Sequence, residues 1–211
     1  MHEKKIKSGD KVHWEGVYRE KSPFEVSWYQ SEPRLSLSMI RESDCPSDTR
    51  IIDVGGGASK LVDRLLDDGY LYPAVLDLSA TALEIVQKRL GDRANQVEWF
   101  EADVLEFTSP HPYSLWHDRA VFHFLVSSDD RKRYRDSLLR TLRPEGYVIL
   151  ATFAVGGPER CSDLDIVQYN SDSIRKEFGD FFDLIDTREE IHQTPGGVEQ
   201  LFNYFHLMRR K

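Results

Sequence analysis

A short run of glycines and three carboxylates carry the chemistry of this 211-residue chain. Asp53, Gly55, Gly56 and Gly57 lie together in IIDVGGGAS, Asp77 lies in AVLDLS, and Asp103 lies in EADV. Glycines between a strand and a helix let backbone N–H groups approach a ligand that side chains would keep away. Asp77 follows Gly57 by 20 positions, a spacing at which a carboxylate closing the next strand accepts hydrogen bonds from both hydroxyls of a ribose. The phosphate-binding alternatives fail. GxxxxGKS and GxxxxGKT are absent, and GxGxxG needs a glycine where Lys60 stands. Asp53 suits a cationic ligand, or orders the turn around one, and matches a pyrophosphate poorly. Asp53 and Lys60 together disfavour an NAD-linked reductase.

A second concentration of reactive side chains is His117-Asp118-Arg119-Ala120-Val121-Phe122-His123, at the carboxyl end of a strand, where an open α/β sheet has its crevice. His123 is a candidate for acid/base work or acceptor binding; the alternative is a capping or half-buried imidazole within FHFL. Trp14, Tyr18, Trp28 and Tyr29 form either an aromatic lid, whose ring faces attract a cation, or a hydrophobic seam. Cys161 in GGPERCSD has no adjacent base, so an inert thiol is preferred to a nucleophile. His117, His192 and His206 are too far apart and too mixed in register for metal ligation, so core or solvated histidines are expected and no metal is assigned.

These residues need elements to hold them in place. Over residues 51–153 short apolar runs alternate with segments of helical period, the pattern of βαβ units and a mostly parallel sheet. The spacing predicts a strand at Arg50–Val54 and a helix after the glycine turn, with Leu61/Leu65 and Val62/Leu66 at i+4 and Gly69 at its stop. A second strand at 73–77 leads through Ser79, an N-cap, into a helix at Ala80–Leu90 that turns Leu83, Val86 and Leu90 inward and ends at Gly91. Val97 and Trp99 mark a third strand and 113–118 a fourth. A helix at 129–142 carries Tyr134, Leu138 and Leu142 on one face, and the turn Arg143-Pro144-Glu145-Gly146 delivers a fifth strand at 147–153.

Beyond that point the pattern changes. Ser171 caps a helix through Phe178, and strands at 182–192 and 198–209 flank Thr194-Pro195-Gly196-Gly197 as a hairpin. Both faces of the last strand carry apolar bulk, so it is expected to be buried on both sides. Ahead of the sheet, Asp10 caps a helix bearing Trp14, Val17 and Tyr18. A loop at 22–32 then leads to a helix after Pro33 with Leu35, Met39 and Ile40. The expected fold class is α/β: a Rossmann-like, doubly wound, seven-stranded and mostly parallel sheet with a C-terminal antiparallel hairpin strand. A helical N-terminal cover or lid occupies 1–45 and the binding domain 46–211.

Charge narrows the partners. Lys and Arg number 28 against 36 Asp and Glu, a net charge of −8 that repels phosphate backbones, so nucleic acid is not expected as a substrate. The basic clusters Lys4-Lys5-Lys7, Arg131-Lys132-Arg133 and Arg209-Arg210-Lys211 are short and read as solvated faces. Cys45 and Cys161 show neither CxxC spacing nor disulfide density, which fits a reducing cytoplasm. A polar, lysine-rich start and no run of 18 apolar residues predict neither an export signal nor a membrane span.

The motif Asp53-Val54-Gly55-Gly56-Gly57 resembles the acidic-x-Gly-x-Gly motif of the class I S-adenosylmethionine-dependent methyltransferases, with Ser59 where that family often has a third glycine. LRPEGY before the fifth strand and the closing antiparallel strands match the family too, so the resemblance covers residues 10–211. HWEGVY, SWYQ and WHDRAVFHFL are similar to a bacterial subgroup of small methyltransferases and, more distantly, to methyltransferases acting on protein lysine.

The resemblance implies S-adenosylmethionine as cofactor, bound by Trp14, Tyr18, Trp28, Asp53, Gly55, Gly56, Gly57, Asp77, Leu78, Asp103, Val104 and Asp118. Asp77 would take the ribose, Asp103 would border the adenine, and Asp118 would border the methionine end in an electrostatic or positioning role. Asp118 and His123 are the catalytic candidates. HDRA lacks the Asn- or Asp-Pro-Pro-aromatic signature of amino-methylating nucleic-acid enzymes. The expected activity is methyl transfer to a small molecule, with a protein lysine acceptor or a non-catalytic cofactor-binding protein as alternatives. Monomer and homodimer both stay open. A sulfonium-borne methyl is transferred by in-line displacement, so alignment and desolvation supply much of the rate and a general base is optional.

Overall fold

The computed structural model describes residues 11–211, so Asp10 and the Lys4-Lys5-Lys7 cluster lie outside the described residues. β1 (Arg50–Val54) is an interior strand of the sheet, with apolar residues on both faces: Ile51, Ile52 and Val54 are all buried. It pairs in parallel with β2 (Tyr72–Asp77) and with β4 (Tyr113–Arg119); β3 (Glu98–Glu101) pairs with β2, and β5 (Leu142–Phe153) with β4. β8 (Phe182–Gln193) and β9 (Glu199–Arg209) complete a seven-stranded sheet of order β3-β2-β1-β4-β5-β9-β8, in which β9 runs antiparallel to both neighbours. This is the expected doubly wound α/β architecture.

Alternation along the strands divides the core in two. Ile52, Trp116, Val148, Leu150 and Phe205 face α5 (Ser128–Thr141) and α6 (Ser171–Phe178). Ile51, Leu115, Ile149 and Phe202 face α2 (Arg34–Glu42) and α3 (Leu61–Asp67). α4 (Ala80–Leu90) packs Leu83, Val86 and Leu90 against Val75, and its N-cap Ser79 accepts from Ala82 N–H at 3.1 Å. α1 (Lys11–Glu20) docks on α4, with Tyr18 buried and Trp14 packed against Trp28 and Phe124.

Several boundaries differ from expectation for local reasons. Asn170, not Ser171, caps α6: its side chain accepts from Ser173 N–H while Ser173 Oγ receives Asn170 N–H, a reciprocal capping box. The helix at 129–142 ends at Thr141, because Leu142 already pairs with Tyr113 as the start of β5. The LRPEGY segment belongs to that strand as a bulge. Pairing slips from Tyr113/Leu142 to Leu115/Tyr147 around Pro144, which has no N–H to give, and Glu145 at φ 61°. The loop after β5 folds into a small hairpin, β6 (Arg160–Cys161) and β7 (Leu164–Asp165), whose turn residues Ser162 and Asp163 both have positive φ. Short 3₁₀ turns at Gly91–Gln96 and Phe122–Phe124 were also not expected.

The described basic clusters are ion-paired within the chain. Arg131 meets Glu177, Lys132 meets Asp136, Arg133 meets Glu106, Arg210 meets Asp183 and Lys211 meets Glu145. Among the described residues no helix is long and apolar enough to cross a membrane.

Candidate functional site

The parallel strands β1 to β4 end on one edge of the sheet, and a cavity of about 830 Å³, counting its opening to solvent, lies against that edge. Its floor is Val54, Gly55, Leu76, Asp77 and Leu78; one wall is Ala102 to Leu105; the other is Arg119, Ala120, Val121, Phe124 and Leu125. Trp14, Tyr18 and Trp28 cover it, and Cys161 closes the side towards β6.

The glycine turn is as tight as its sequence suggests. Gly55 and Gly57 have φ of 63° and 48°, and Gly55 N–H donates to the Leu76 carbonyl at 2.7 Å. A Cβ on Gly55 would run into Val121, and one on Gly57 would run into the Tyr18 hydroxyl. Two elements distant in sequence therefore close onto the turn.

Asp77 is buried at the end of β2, with Oδ2 accepting from Gly57 N–H at 2.7 Å and Oδ1 from Ser79 N–H at 2.8 Å. Burial pushes its pKa up to about 6 against these two hydrogen bonds. A carboxylate has about four lone-pair sites, so acceptor capacity is left for hydroxyls in the cavity. Asp103 is half-buried in the wall, and its Oδ1 accepts from Leu105 N–H at 2.9 Å. Leu78 and Val104 flank it on the cavity surface.

Asp53 is placed differently. Its side chain lies on the α2 side of β1, where its Oδ1 is 2.7 Å from His117 Nδ1, and His117 Nε2 is 2.8 Å from Ser36 Oγ on α2. All three are buried. They border a smaller cavity of about 520 Å³, again counting open solvent, with Gly56, Arg119, Trp28 and Gln30. A Cβ on Gly56 would stand 2.8 Å from Asp53 Oδ2, so the middle glycine leaves room for this carboxylate. The three acids thus do not converge on one cavity: Asp77 and Asp103 line the larger, Asp53 the smaller.

Asp118 and His123 do not line either cavity. Strand alternation turns Asp118 to the α5 face, where it accepts from Tyr134 Oη at 2.6 Å and from Val121 N–H at 2.8 Å. Burial raises its pKa to about 6. His123 is fully buried between Phe124 and Phe153, accepts Phe153 N–H at Nδ1, and has no partner for Nε2 among the described residues. Burial, aided by Arg119, drops its pKa to about 3, so the ring is neutral at physiological pH.

Sequence reasoning passed over Arg119, Val121 and Leu125 as cavity residues. The signal for Arg119 was available: it is two positions from His117 and so shares its face, opposite to Asp118. Val121 and Leu125 carried no such signal, because the 3₁₀ turn that presents them has no apolar period of its own. Burial raises the Cys161 thiol to about 11, which keeps it protonated.

The larger cavity fits S-adenosylmethionine. Asp77 offers a buried carboxylate to ribose hydroxyls, and Leu78, Val104, Val121 and Leu125 offer an apolar slot for a planar base. Gly55 lets Val121 close onto the turn, and the rings of Trp14, Tyr18 and Trp28 suit a cationic centre.

Residues 51–146 match the family model described as a methyltransferase domain. Among solved structures, the chain is similar to that of the conversion of a disulfide bond into a thioacetal group during echinomycin biosynthesis, with TM-score 0.77 and 18% identity over 95% of this chain and 92% of that one. It is similar to the N-methyltransferase NodS from Bradyrhizobium japonicum WM9 in complex with S-adenosyl-L-homocysteine, with TM-score 0.71 and 12% identity over 94% and 100%. It is also similar to the 1,6-didemethyltoxoflavin-N1-methyltransferase of Burkholderia thailandensis, bound to 1,6-didemethyltoxoflavin and S-adenosylhomocysteine, with TM-score 0.72 and 14% identity over 97% and 88%. At these identities the structures establish the shared fold.

Proposed function

We propose that this chain is a class I S-adenosylmethionine-dependent methyltransferase, with S-adenosylmethionine as its cofactor, and that it methylates a small molecule. The observation that carries the reading is that Trp14, Tyr18 and Trp28 line the larger cavity beside the apolar side chains of the sheet edge, a concave and largely apolar lining that suits a small acceptor. NodS and the toxoflavin enzyme, whose folds it shares, are named as an N-methyltransferase and as an enzyme holding 1,6-didemethyltoxoflavin, which supports an acceptor of that size.

In this reading Asp77 accepts hydrogen bonds from the ribose, Asp103, Leu78 and Val104 hold the base, Gly55 lets the backbone approach, and Gly57 N–H steadies the Asp77 carboxylate. Trp14, Tyr18 and Trp28 exclude water and present ring faces to a cation. Bound there, the cofactor supplies an electrophilic methyl group. Among the described residues of the cavity, Asp77 and Asp103 are engaged with the adenosyl end in this reading and Cys161 stays protonated, while His123 and Asp118 lie outside it. Catalysis then rests on alignment and desolvation, which suits an acceptor that is already nucleophilic at neutral pH. Asp118 serves by holding the turn after β4 through Val121 and Phe122 N–H, and Asp53 by tying β1 to β4 and α2 through His117 and Ser36. The two free cysteines support a reducing compartment, the cytoplasm.

The test is incubation with methyl-labelled S-adenosylmethionine and a cell extract split into a low-molecular-mass filtrate and a protein fraction. Label entering the filtrate supports the reading; label entering protein alone overturns it in favour of a protein acceptor.

A further inference from the structure

Arg119, at the end of β4, lines both cavities, and its side chain is only 10% exposed. Nε–H donates to Tyr204 Oη at 2.9 Å and Nη1–H to the Trp28 carbonyl at 3.0 Å. Nη2, screened from solvent, makes no hydrogen bond among the described residues. Glu190 Oε2 is 3.6 Å from Nη2, beyond hydrogen-bond reach, and that oxygen already accepts from Gln30 Nε2 and Tyr204 Oη at 3.0 Å each. The guanidinium lies 4.4 Å from the centre of the Phe202 ring. A buried cation with unspent N–H donors in a largely apolar wall is a costly arrangement unless something outside the chain accepts them.

Position separates this cation from the adenosyl side. Gly55, Asp77 and Asp103 lie at the ends of β1, β2 and β3, whereas two partners of Arg119, Tyr204 and Glu190, belong to β9 and β8, on the other flank of β4. The guanidinium is therefore held by Tyr204 and Glu190 on that flank and by the Trp28 carbonyl, in a cavity that Trp14, Trp28, Phe124 and Cys161 also line. Arg119 is the one Lys or Arg lining either cavity among the described residues, and Glu190 stands beside it. One cation partly balanced by a carboxylate matches a monoanion better than a phosphate dianion, and the planar fork of a guanidinium matches a carboxylate.

We propose that the methyl acceptor carries a carboxylate that docks on Arg119, with its apolar body against Trp14, Trp28 and Phe124. The inference rests on the methyltransferase reading of the same cavity. The test is calorimetry on the full chain loaded with S-adenosylhomocysteine at neutral pH. The probes are carboxylates paired with their primary amides: benzoate with benzamide, indole-3-acetate with indole-3-acetamide, and hexanoate with hexanamide. At least one acid should bind about tenfold or more tighter than its amide, with R119Q abolishing the preference and R119K retaining part of it. Absence of acid preference in every pair, with S-adenosylhomocysteine bound, overturns the proposal and needs no variant to fold. It is also overturned if R119Q weakens S-adenosylhomocysteine while leaving 5′-methylthioadenosine, which lacks the carboxylate, unchanged, for Arg119 would then hold the cofactor. Failure of wild-type protein to bind S-adenosylhomocysteine at all is a separate result, which removes the cofactor reading and this proposal with it.

Discussion

Glu15 on α1 accepts hydrogen bonds from Thr81 at the start of α4, from the backbone N–H at 3.4 Å and from the hydroxyl. One carboxylate thus fastens the helix that carries Trp14 and Tyr18 to the helix that begins beside the cavity floor. A helix N-terminus favours negative charge, so the fastening is electrostatic as well as geometric.

Glu15→Gln should weaken this fastening by about 1 kcal/mol, as loss of a capping carboxylate does. Burial raises the pKa of Glu15, but hydrogen bonds from Thr81, Ala80 and Ser79 outweigh it and the net shift is downward from 4.5. The contribution is therefore present above about pH 4.5 and is lost as pH falls through the lower native value. Hydrogen exchange should show α1 amides opening faster in the variant at pH 7; unchanged exchange would count against the latch.

Asp77 has its pKa raised from 3.8 to about 6, chiefly by burial. Its effect on folding alone is favourable at low pH and declines as pH rises through 6, whereas acceptance of ribose hydroxyls needs the ionised form. S-adenosylhomocysteine affinity should fall by about tenfold per pH unit below 6, and Asp77→Asn should bind weakly with little pH dependence. A flat wild-type profile between pH 5 and 7.5 would separate Asp77 from the ligand.

His123 has its pKa lowered from 6.5 to about 3 by burial and then by Arg119. The unfolded chain takes up a proton that the native ring refuses, so stability is lost as pH falls from about 6.5. Urea unfolding of wild type and His123→Leu should therefore converge on acidification, the gap between them shifting by about 2 kcal/mol from pH 7 to pH 5. Parallel profiles would mean that the ring protonates in the native state.

Gly57→Ala places a Cβ against the Tyr18 hydroxyl at φ 48°, and should cost more than about 1 kcal/mol and weaken cofactor binding. Tyr18→Phe removes the hydroxyl, so the double variant should be less destabilised than the sum of the two single changes. Additive losses in a thermal-unfolding cycle would deny the contact.

The parallel half of the fold was legible because its signals are local. β-branched runs, the glycine turn, Ser79 and Gly91 each mark a boundary within a few residues of where it falls. The site was legible where a residue closes a strand and faces its carboxyl edge, as Asp77 and Asp103 do. It was not legible where the facing direction depends on register between strands. Asp53 pairs with His117, and Val54 with Asp118, so His117 meets Asp53 while Asp118 turns to Tyr134. Position along the chain could not distinguish the two. The face of Arg119 could be read from His117, but its partners Tyr204 and Glu190 could not, because the antiparallel insertion brings them beside it from far away in sequence.

That insertion also governs the order in which the protein can assemble. β9 lies between β5 and β8, yet the ribosome delivers β8 first. Until residues 199–209 emerge, β5 has an open edge and β8 has no sheet to join, so the nascent chain passes through an interval with exposed strand pairing groups, the situation most open to self-association. Chaperone demand during synthesis should accordingly concentrate in the time taken to translate this final pair of strands.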